Sequence, residues 1–187
     1  MGMGHFNRRD LLVAAILAGT AGLLAPGSRT ARAAGGGDDL TDLARLPMDK
    51  PDAPVIAIAG PSGPVRTVSR EDLAGLEQTV LTTHMPWSPE VHHLEGPSLA
   101  RFVSSFTQKD AADEISIEAI DGFIVTAPIA ELVADGAVLV IRQDGDFLPV
   151  SAKGPAFVMF PFEERPEIAD RSRFGRCIWQ ITRITIS

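Results

Sequence analysis

Residues 121–186 constrain the fold most, because they predict a strand, a short helix, a buried strand, a turn, a glycine corner and a closing strand in that order. Residues 137–141 form a nearly continuous apolar run, which favours a strand buried on both faces at the centre of a sheet. Asp121-Gly122 predicts a tight hairpin turn. Residues 178–186 alternate apolar and polar side chains, as a half-buried strand does. A mixed β-sheet is therefore expected here.

The rest of the sequence adds strands and three short helices. The helices are predicted after Ser69, where Asp72 completes a capping box, then from Ser98, and from Ala127-Pro128. Residues 161–176 are polar and marked by proline, which predicts a long surface loop. The other predicted strands cover residues 55–59, 65–68, 79–83, 91–94, 115–120, 123–126 and 156–160. The expected fold class is α+β, a mixed, sandwich-like β-sheet domain with short helices.

The first 33 residues are typical of an export signal. Arg8 and Arg9 precede an apolar run over residues 11–25 and a small-x-small motif at residues 31–33. The paired arginines favour the twin-arginine route. An ordinary Sec signal and an uncleaved anchor are the alternatives, although the apolar run is short for a membrane span.

Cleavage after residue 33 gives a periplasmic protein with no stable membrane span. It would consist of a flexible N-terminal arm, residues 34–54, and one folded domain, residues 55–187. The whole chain has a net charge of −7, and residues 1–33 hold four arginines against one aspartate, so the remainder is near −10. Because phosphate contacts need clustered Lys and Arg, nucleic acid is not an expected partner. The expected partner is a small-molecule ligand or a periplasmic protein.

Cys177 is the only cysteine, so no intramolecular disulfide can form. Burial in the core is the commoner state of a lone cysteine. The alternative is a reactive thiol, whose pKa the neighbouring Arg176 would lower.

Three segments of this chain occur in an order that resembles the molybdopterin-binding domain of sulfite-oxidase-type oxidoreductases. They are the corner Gly96-Pro97-Ser98-Leu99, residues 144–155 with Asp144-Gly145 and Gly154-Pro155, and the strand that starts Trp179-Gln180-Ile181. The resemblance implies that fold, a pterin cofactor with molybdenum held by one cysteine thiolate, and two-electron chemistry at the metal.

The chain departs from that family at two places that concern the cofactor. In the family, the cysteine follows the strand before the Gly96 corner, where this chain has residues 82–87 and no cysteine. The family's His-Asn type motif is absent from residues 46–64. The resemblance is therefore to a short, exported branch that lacks the metal-ligand cysteine. It allows molybdopterin as a cofactor, but the residues favour a protein with none.

The candidate cofactor-binding residues are one aromatic side chain, one glycine and a set of basic side chains. Trp87 lies in the segment that carries the metal ligand in the resembled family, and its indole could line a cleft. A pterin phosphate needs two or three converging cations together with backbone amides near Gly154. The full set is Trp87, Arg142, Lys153, Gly154, Arg171 and Arg173.

No catalytic residue or metal ligand is assigned. His84, His92 and His93 lie close together in the sequence, but their spacing matches no compact zinc motif. Three functions stay open: an exported oxidoreductase-like protein of the molybdopterin-binding fold, a cofactor-free periplasmic module that binds a small ligand or a partner protein, and a small metal-binding periplasmic protein that uses His84. If the resemblance holds, Thr83 or His84 should occupy the metal-ligand position beneath a cleft.

Overall fold

The computed structural model describes residues 46–61, 64–107 and 112–187, and all statements on structure refer to these residues. They belong to one compact unit, Asp39–Ser187. The predicted export signal and residues 34–45 of the predicted arm lie outside the described residues. No helix of the described part is long and apolar enough to cross a membrane.

The described part of the chain contains eleven strands and four short α-helices. Short 3-10 turns at Val150–Ala152 and Pro166–Ile168 complete the elements. The strands and helices, in chain order, are β1 (Pro54–Ala59), β2 (Arg66–Ser69), α1 (Arg70–Ala74), β3 (Gln78–Met85), β4 (Ser88–Pro97), α2 (Leu99–Phe106), β5 (Glu114–Ala119), β6 (Ile124–Pro128), α3 (Ile129–Ala134), β7 (Val138–Val140), β8 (Arg142–Gln143), β9 (Asp146–Phe147), β10 (Phe157–Met159), α4 (Arg171–Arg176) and β11 (Ile181–Ile186).

The strands form three sheets. The largest has the order β2-β1-β11-β5-β6, in which β1 and β11 are parallel and the other pairs are antiparallel. The second is antiparallel with the order β3-β4-β8-β9, and the third pairs β7 with β10. Mixed sheets with few short helices confirm the predicted α+β class.

Local sequence signals account for several of these elements. Strand β7 is at most 1% exposed at every position, as its continuous apolar run predicts. The Ser69 hydroxyl accepts a hydrogen bond from the Asp72 amide, and the Asp72 carboxylate accepts one from the Ser69 amide, so the predicted capping box is present. Gly122 has a φ of 81° in the turn between β5 and β6, where the hairpin was predicted.

Residues 161–176 differ from the predicted surface loop. They include α4 and bury Phe162 and Ile168. Three arginines attach this segment to α3 and its C-terminal end: Arg165 donates to the Ala134 carbonyl at 2.6 Å, Arg173 to Asp135 at 3.0 Å, and Arg176 to Glu131 at 2.8 Å. A cation near a helix C-terminus is favourable because the last carbonyls carry partial negative charge. Long-range ion pairs therefore stabilise a segment that lacks a helical sequence pattern.

Candidate functional site

The corner after β9 is fixed by close backbone contacts. Lys153 has a φ of 69°, and its carbonyl accepts a hydrogen bond from the Gln180 amide at 3.0 Å. Gly154 leaves no space for a side chain, because a Cβ there would lie 2.2 Å from the Leu148 carbonyl oxygen. The Gly154 amide also donates to the Pro149 carbonyl. These contacts hold Lys153 next to the residues that precede β11.

The β3–β4 hairpin brings a tryptophan to the same corner. Met85 pairs with Ser88, so Pro86 and Trp87 form the turn between the two strands. The Trp87 ring lies edge-on to Trp179, with 4.9 Å between ring centroids and 67° between ring planes. It also contacts Phe157 edge-on at 5.8 Å. Such arrangements place the positive edge of one ring against the negative face of another.

Lys153 completes what we call the aromatic–lysine cluster, consisting of Trp87, Lys153, Phe157 and Trp179. Its Nζ lies 4.2 Å from the centroid of the Trp179 ring and 5.1 Å from that of Trp87. Both distances suit a cation–π interaction. Lys153 and both tryptophans are half-buried, and Phe157 is fully buried beneath them. The cluster thus sets the Lys153 ammonium close to two indole rings, next to the buried Phe157.

The structure brings together three of the six predicted site residues, namely Trp87, Lys153 and Gly154. The three arginines lie on other elements. Arg142, on β8, forms an ion pair with Glu95 at 2.9 Å, and its guanidinium lies 4.3 Å from the Phe147 ring centroid. Arg171 and Arg173 lie on α4, where Arg171 is exposed.

Arg173 takes part in a local charge network. Its guanidinium contacts Asp135 at 3.0 Å and Asp170 at 3.1 Å. The hydrogen bond that Arg173 donates to Asp135, followed by the negative charge of Asp135, raises the pKa of Arg173. Arg142 and Arg173 are each paired with a carboxylate, so neither brings an uncompensated charge to a phosphate.

The sequence reasoning missed Phe157 and assigned Trp179 only to a strand motif. Trp179 forms a β-bridge with Phe157, and the following residue, Gln180, bonds the Lys153 backbone. Both contacts join segments that are more than twenty residues apart. No local sequence pattern predicts such contacts. Only the family resemblance linked the Gly154 corner to the Trp179 strand, because both segments belong to the same domain of that family.

Cys177 is buried, as predicted. It is 2% exposed, and its thiol donates to the Arg173 carbonyl with an Sγ–O distance of 3.4 Å. Burial raises the pKa of this thiol far above its usual range. Arg176 does not activate the thiol, since its guanidinium pairs with Glu131. Cys177 is therefore a protonated core residue.

The three histidines bind neighbouring side chains individually. The described residues include no group of three or more His, Cys, Asp or Glu side chains that could hold a metal ion. Thr83 is fully buried, and its hydroxyl accepts a hydrogen bond from the Glu163 amide. The histidine contacts are His84 Nδ1 with Glu163 Oε1 at 2.5 Å, His92 with Ser88 and Gln143 at 3.2 and 3.1 Å, and His93 Nδ1 with Thr82 Oγ1 at 3.1 Å.

Comparison with known proteins identifies the fold. No protein-family model and no curated protein matches the chain. Among solved structures, the sulfane dehydrogenase SoxCD from Paracoccus pantotrophus is similar, with a TM-score of 0.50 and 14% sequence identity. The match covers 70% of this chain and 37% of that chain, so this protein corresponds to little more than a third of its length. The likeness confirms the sulfite-oxidase-type fold predicted from the sequence.

Proposed function

We propose that this protein is a binding module built on the sulfite-oxidase-type fold, and that it holds a small anionic ligand at the aromatic–lysine cluster. The observation that carries the proposal is the position of Lys153, whose ammonium lies within 4.2 and 5.1 Å of two indole rings. A ligand with a flat apolar body and an acidic group could contact the rings and the ammonium together. Sites of this kind combine apolar walls with a few placed polar groups.

The residues do not fit a molybdenum centre of the type that the resemblance implies. Such a centre needs a cysteine thiolate, because a soft anionic sulfur donor tunes the metal. The chain's single thiol is buried at Cys177, and its raised pKa keeps it protonated. The residues at the expected metal-ligand position are both hydrogen-bonded to Glu163. The Thr83 hydroxyl accepts from the Glu163 amide, and the His84 ring contacts the Glu163 carboxylate. We therefore assign no redox step to this chain.

Ligand binding can be measured by isothermal titration calorimetry with naphthalene-2-sulfonate, which carries a flat ring and one negative charge. We expect binding to one site with a dissociation constant on the order of 1 mM or lower, from about −0.3 kcal/mol per non-hydrogen atom. Lys153→Met should weaken binding about tenfold, because it removes a charge-assisted contact. Lys50→Met is the matched control, since Lys50 is exposed and outside the cluster.

Two results would contradict the binding site. The first is no saturable binding to the wild-type protein. The second is equal binding by the Lys153→Met variant. Uncharged 2-methylnaphthalene serves as a second probe, and it should bind more weakly than the sulfonate if Lys153 contributes its charge.

A molybdopterin-dependent oxidoreductase is the second candidate, and the fold shared with sulfane dehydrogenase SoxCD favours it. Metal and pterin analysis of protein purified from a host that makes the cofactor separates the two candidates. Stoichiometric molybdenum together with pterin would refute the cofactor-free proposal. Molybdenum and pterin below one-tenth of the protein concentration would argue against the enzyme.

The proposal includes export to the periplasm by the twin-arginine route. It rests on the sequence of residues 1–33, where Arg8 and Arg9 precede the apolar run. Cell fractionation should find the wild-type protein in the periplasm, and replacement of both arginines by lysine should retain it in the cytoplasm. Unchanged export of that double variant would favour the Sec route.

A further inference from the structure

The β3–β4 hairpin is irregular near its turn. Met85 pairs with Ser88, whereas the preceding residue of β3 pairs with Val91, so residues 89 and 90 of β4 form a bulge. A regular strand would separate the Cα atoms of Ser88 and His92 by about 13 Å, at about 3.3 Å per residue. Here the Ser88 Oγ lies 3.2 Å from the His92 Nε2. The bulge therefore brings these two side chains into contact.

A chain of hydrogen bonds continues from His92 to strand β8 and the turn after it. We call it the serine relay, and it consists of Ser88, His92, Gln143 and Asp144. The Gln143 Nε2 lies 3.1 Å from the His92 Nδ1 and 3.4 Å from the Asp144 carboxylate. Because a carboxylate only accepts hydrogen bonds, the NH2 end of the Gln143 amide faces both groups. His92 Nδ1 therefore accepts, and the proton of the neutral ring lies on Nε2.

The relay sets the hydrogen-bonding role of the Ser88 hydroxyl. Its oxygen accepts from the His92 Nε2 at 3.2 Å and from the Glu90 amide at 3.4 Å. A hydroxyl has two acceptor lone pairs and one proton, so both lone pairs are engaged and the proton is left to donate. The hydrogen bonds of the described residues include no acceptor for this proton. Since Ser88 is half-buried, a bound molecule can reach it.

The serine relay lies beside the aromatic–lysine cluster. Ser88 directly follows Trp87, so their Cα atoms are about 3.8 Å apart. His92 lies opposite the fully buried Thr83, which puts it on the core-facing side of the sheet. Trp87 is on this side too, because its ring contacts the fully buried Phe157.

We propose that the Ser88 hydroxyl donates a hydrogen bond to the acidic group of the ligand at the aromatic–lysine cluster, and that His92 and Gln143 are positioning residues that keep it a donor. This inference rests on the proposed function and narrows the ligand class. The acidic group is an oxyanion that only accepts hydrogen bonds, such as a sulfonate or a carboxylate. Lys153 supplies charge and Ser88 supplies direction, because an ammonium acts as a point charge whereas a hydroxyl proton bonds along one axis.

Isothermal titration calorimetry with naphthalene-2-sulfonate and 2-methylnaphthalene tests the hydrogen bond. Ser88→Ala should weaken sulfonate binding about tenfold, as expected for the loss of a hydrogen bond to a charged group, and should leave the affinity for uncharged 2-methylnaphthalene unchanged. Ser88→Thr keeps the hydroxyl and should retain most of the sulfonate affinity. Ser172→Ala is the matched control, since Ser172 is exposed on α4.

Nuclear magnetic resonance supplies a readout that needs no ligand. Long-range proton–nitrogen correlation spectra at about pH 8, where histidine side chains are ordinarily neutral, should show the His92 proton on Nε2. In Gln143→Glu a carboxylate replaces the amide, so Nδ1 should carry a proton instead. This variant serves as the spectroscopic reference for the opposite arrangement.

Three results would overturn the role of Ser88 while the ligand site stands: a wild-type His92 with its proton on Nδ1, equal sulfonate binding by Ser88→Ala, or an equal loss of affinity for both probes in that variant. Failure of the ligand site looks different. It appears as no saturable sulfonate binding to the wild-type protein or as equal binding by Lys153→Met, and it would remove this inference as well.

Discussion

Replacement of Gly154 by alanine should destabilise the protein by about 3 kcal/mol. The added Cβ would lie 2.2 Å from the Leu148 carbonyl oxygen, 2.8 Å from the Leu148 carbonyl carbon and 2.9 Å from the Pro149 oxygen. All three are backbone atoms, so no flexible side chain can move aside. The corner must open by about 1.2 Å to reach the 3.4 Å of an ordinary contact.

The magnitude follows from three terms. Overpacking a fixed site costs about 1–3 kcal/mol, and backbone atoms place this case near the upper value. Opening the corner also weakens the hydrogen bonds from Gly154 to Pro149 and from Gln180 to Lys153, which adds up to about 1 kcal/mol for the two together because neither bond is lost outright. Alanine offsets about 0.4–1 kcal/mol by restricting the unfolded chain. A loss near 3 kcal/mol is large beside a total stability of about 5–15 kcal/mol.

Urea unfolding followed by far-UV circular dichroism measures this free energy. Gly175→Ala is the control, because Gly175 lies in α4 with no atom within 4 Å of an added Cβ. This control should leave the stability unchanged or raise it by up to about 1 kcal/mol. A Gly154→Ala variant within 1 kcal/mol of wild type would refute the reasoning, because the corner would then be able to open at little cost.

Three further changes test other parts of the structure. The Cys177 thiol should react with Ellman's reagent only after the protein is unfolded in urea. The free energy of unfolding should fall as the pH rises above about 8.5, because the thiol ionises in the unfolded state but stays protonated in the folded state. The Cys177→Ala variant should lack this contribution to the pH dependence. Ser69→Ala should lower the free energy of unfolding by about 1 kcal/mol through loss of the α1 cap, whereas Ser104→Ala, at an exposed site in α2, should change it by less than about 0.5 kcal/mol. Thr83→Val should cost about 1 kcal/mol, because the Glu163 amide loses its acceptor, and calorimetric melting at neutral pH would show this as a lower Tm.

The sequence predicts those elements whose signals are local. A continuous apolar run specifies β7, the Ser69 and Asp72 pair specifies the start of α1, and Asp121-Gly122 specifies a hairpin. Helix α4 escaped prediction because its six residues include Gly175 and lack apolar periodicity. Contacts with α3, distant in sequence, stabilise it instead.

In the candidate site, too, local sequence signals were informative and contacts between distant segments could not be predicted. Trp87, Lys153 and Gly154 were predicted from their segments, and they lie together. The predicted convergence of basic residues depended on charge type alone, which does not reveal the partners of each arginine. Arg142 pairs with Glu95 across two strands and Arg173 with Asp135 across two helices. Such pairing depends on tertiary structure, so the sequence could not distinguish a phosphate site from internal ion pairs.

The edge-on contact between Trp87 and Trp179 means that the intrinsic tryptophan absorption and fluorescence of the protein report on the aromatic–lysine cluster. The chain contains two tryptophans and no tyrosine, and both indoles lie in the aromatic–lysine cluster with 4.9 Å between their centroids. Ultraviolet absorption near 290 nm and the emission that follows it therefore originate from this one place, and the transitions of the two rings are close enough to couple. Ligand entry, displacement of Lys153 or opening of the Gly154 corner can each be followed spectroscopically in unlabelled protein, without a signal from elsewhere in the molecule.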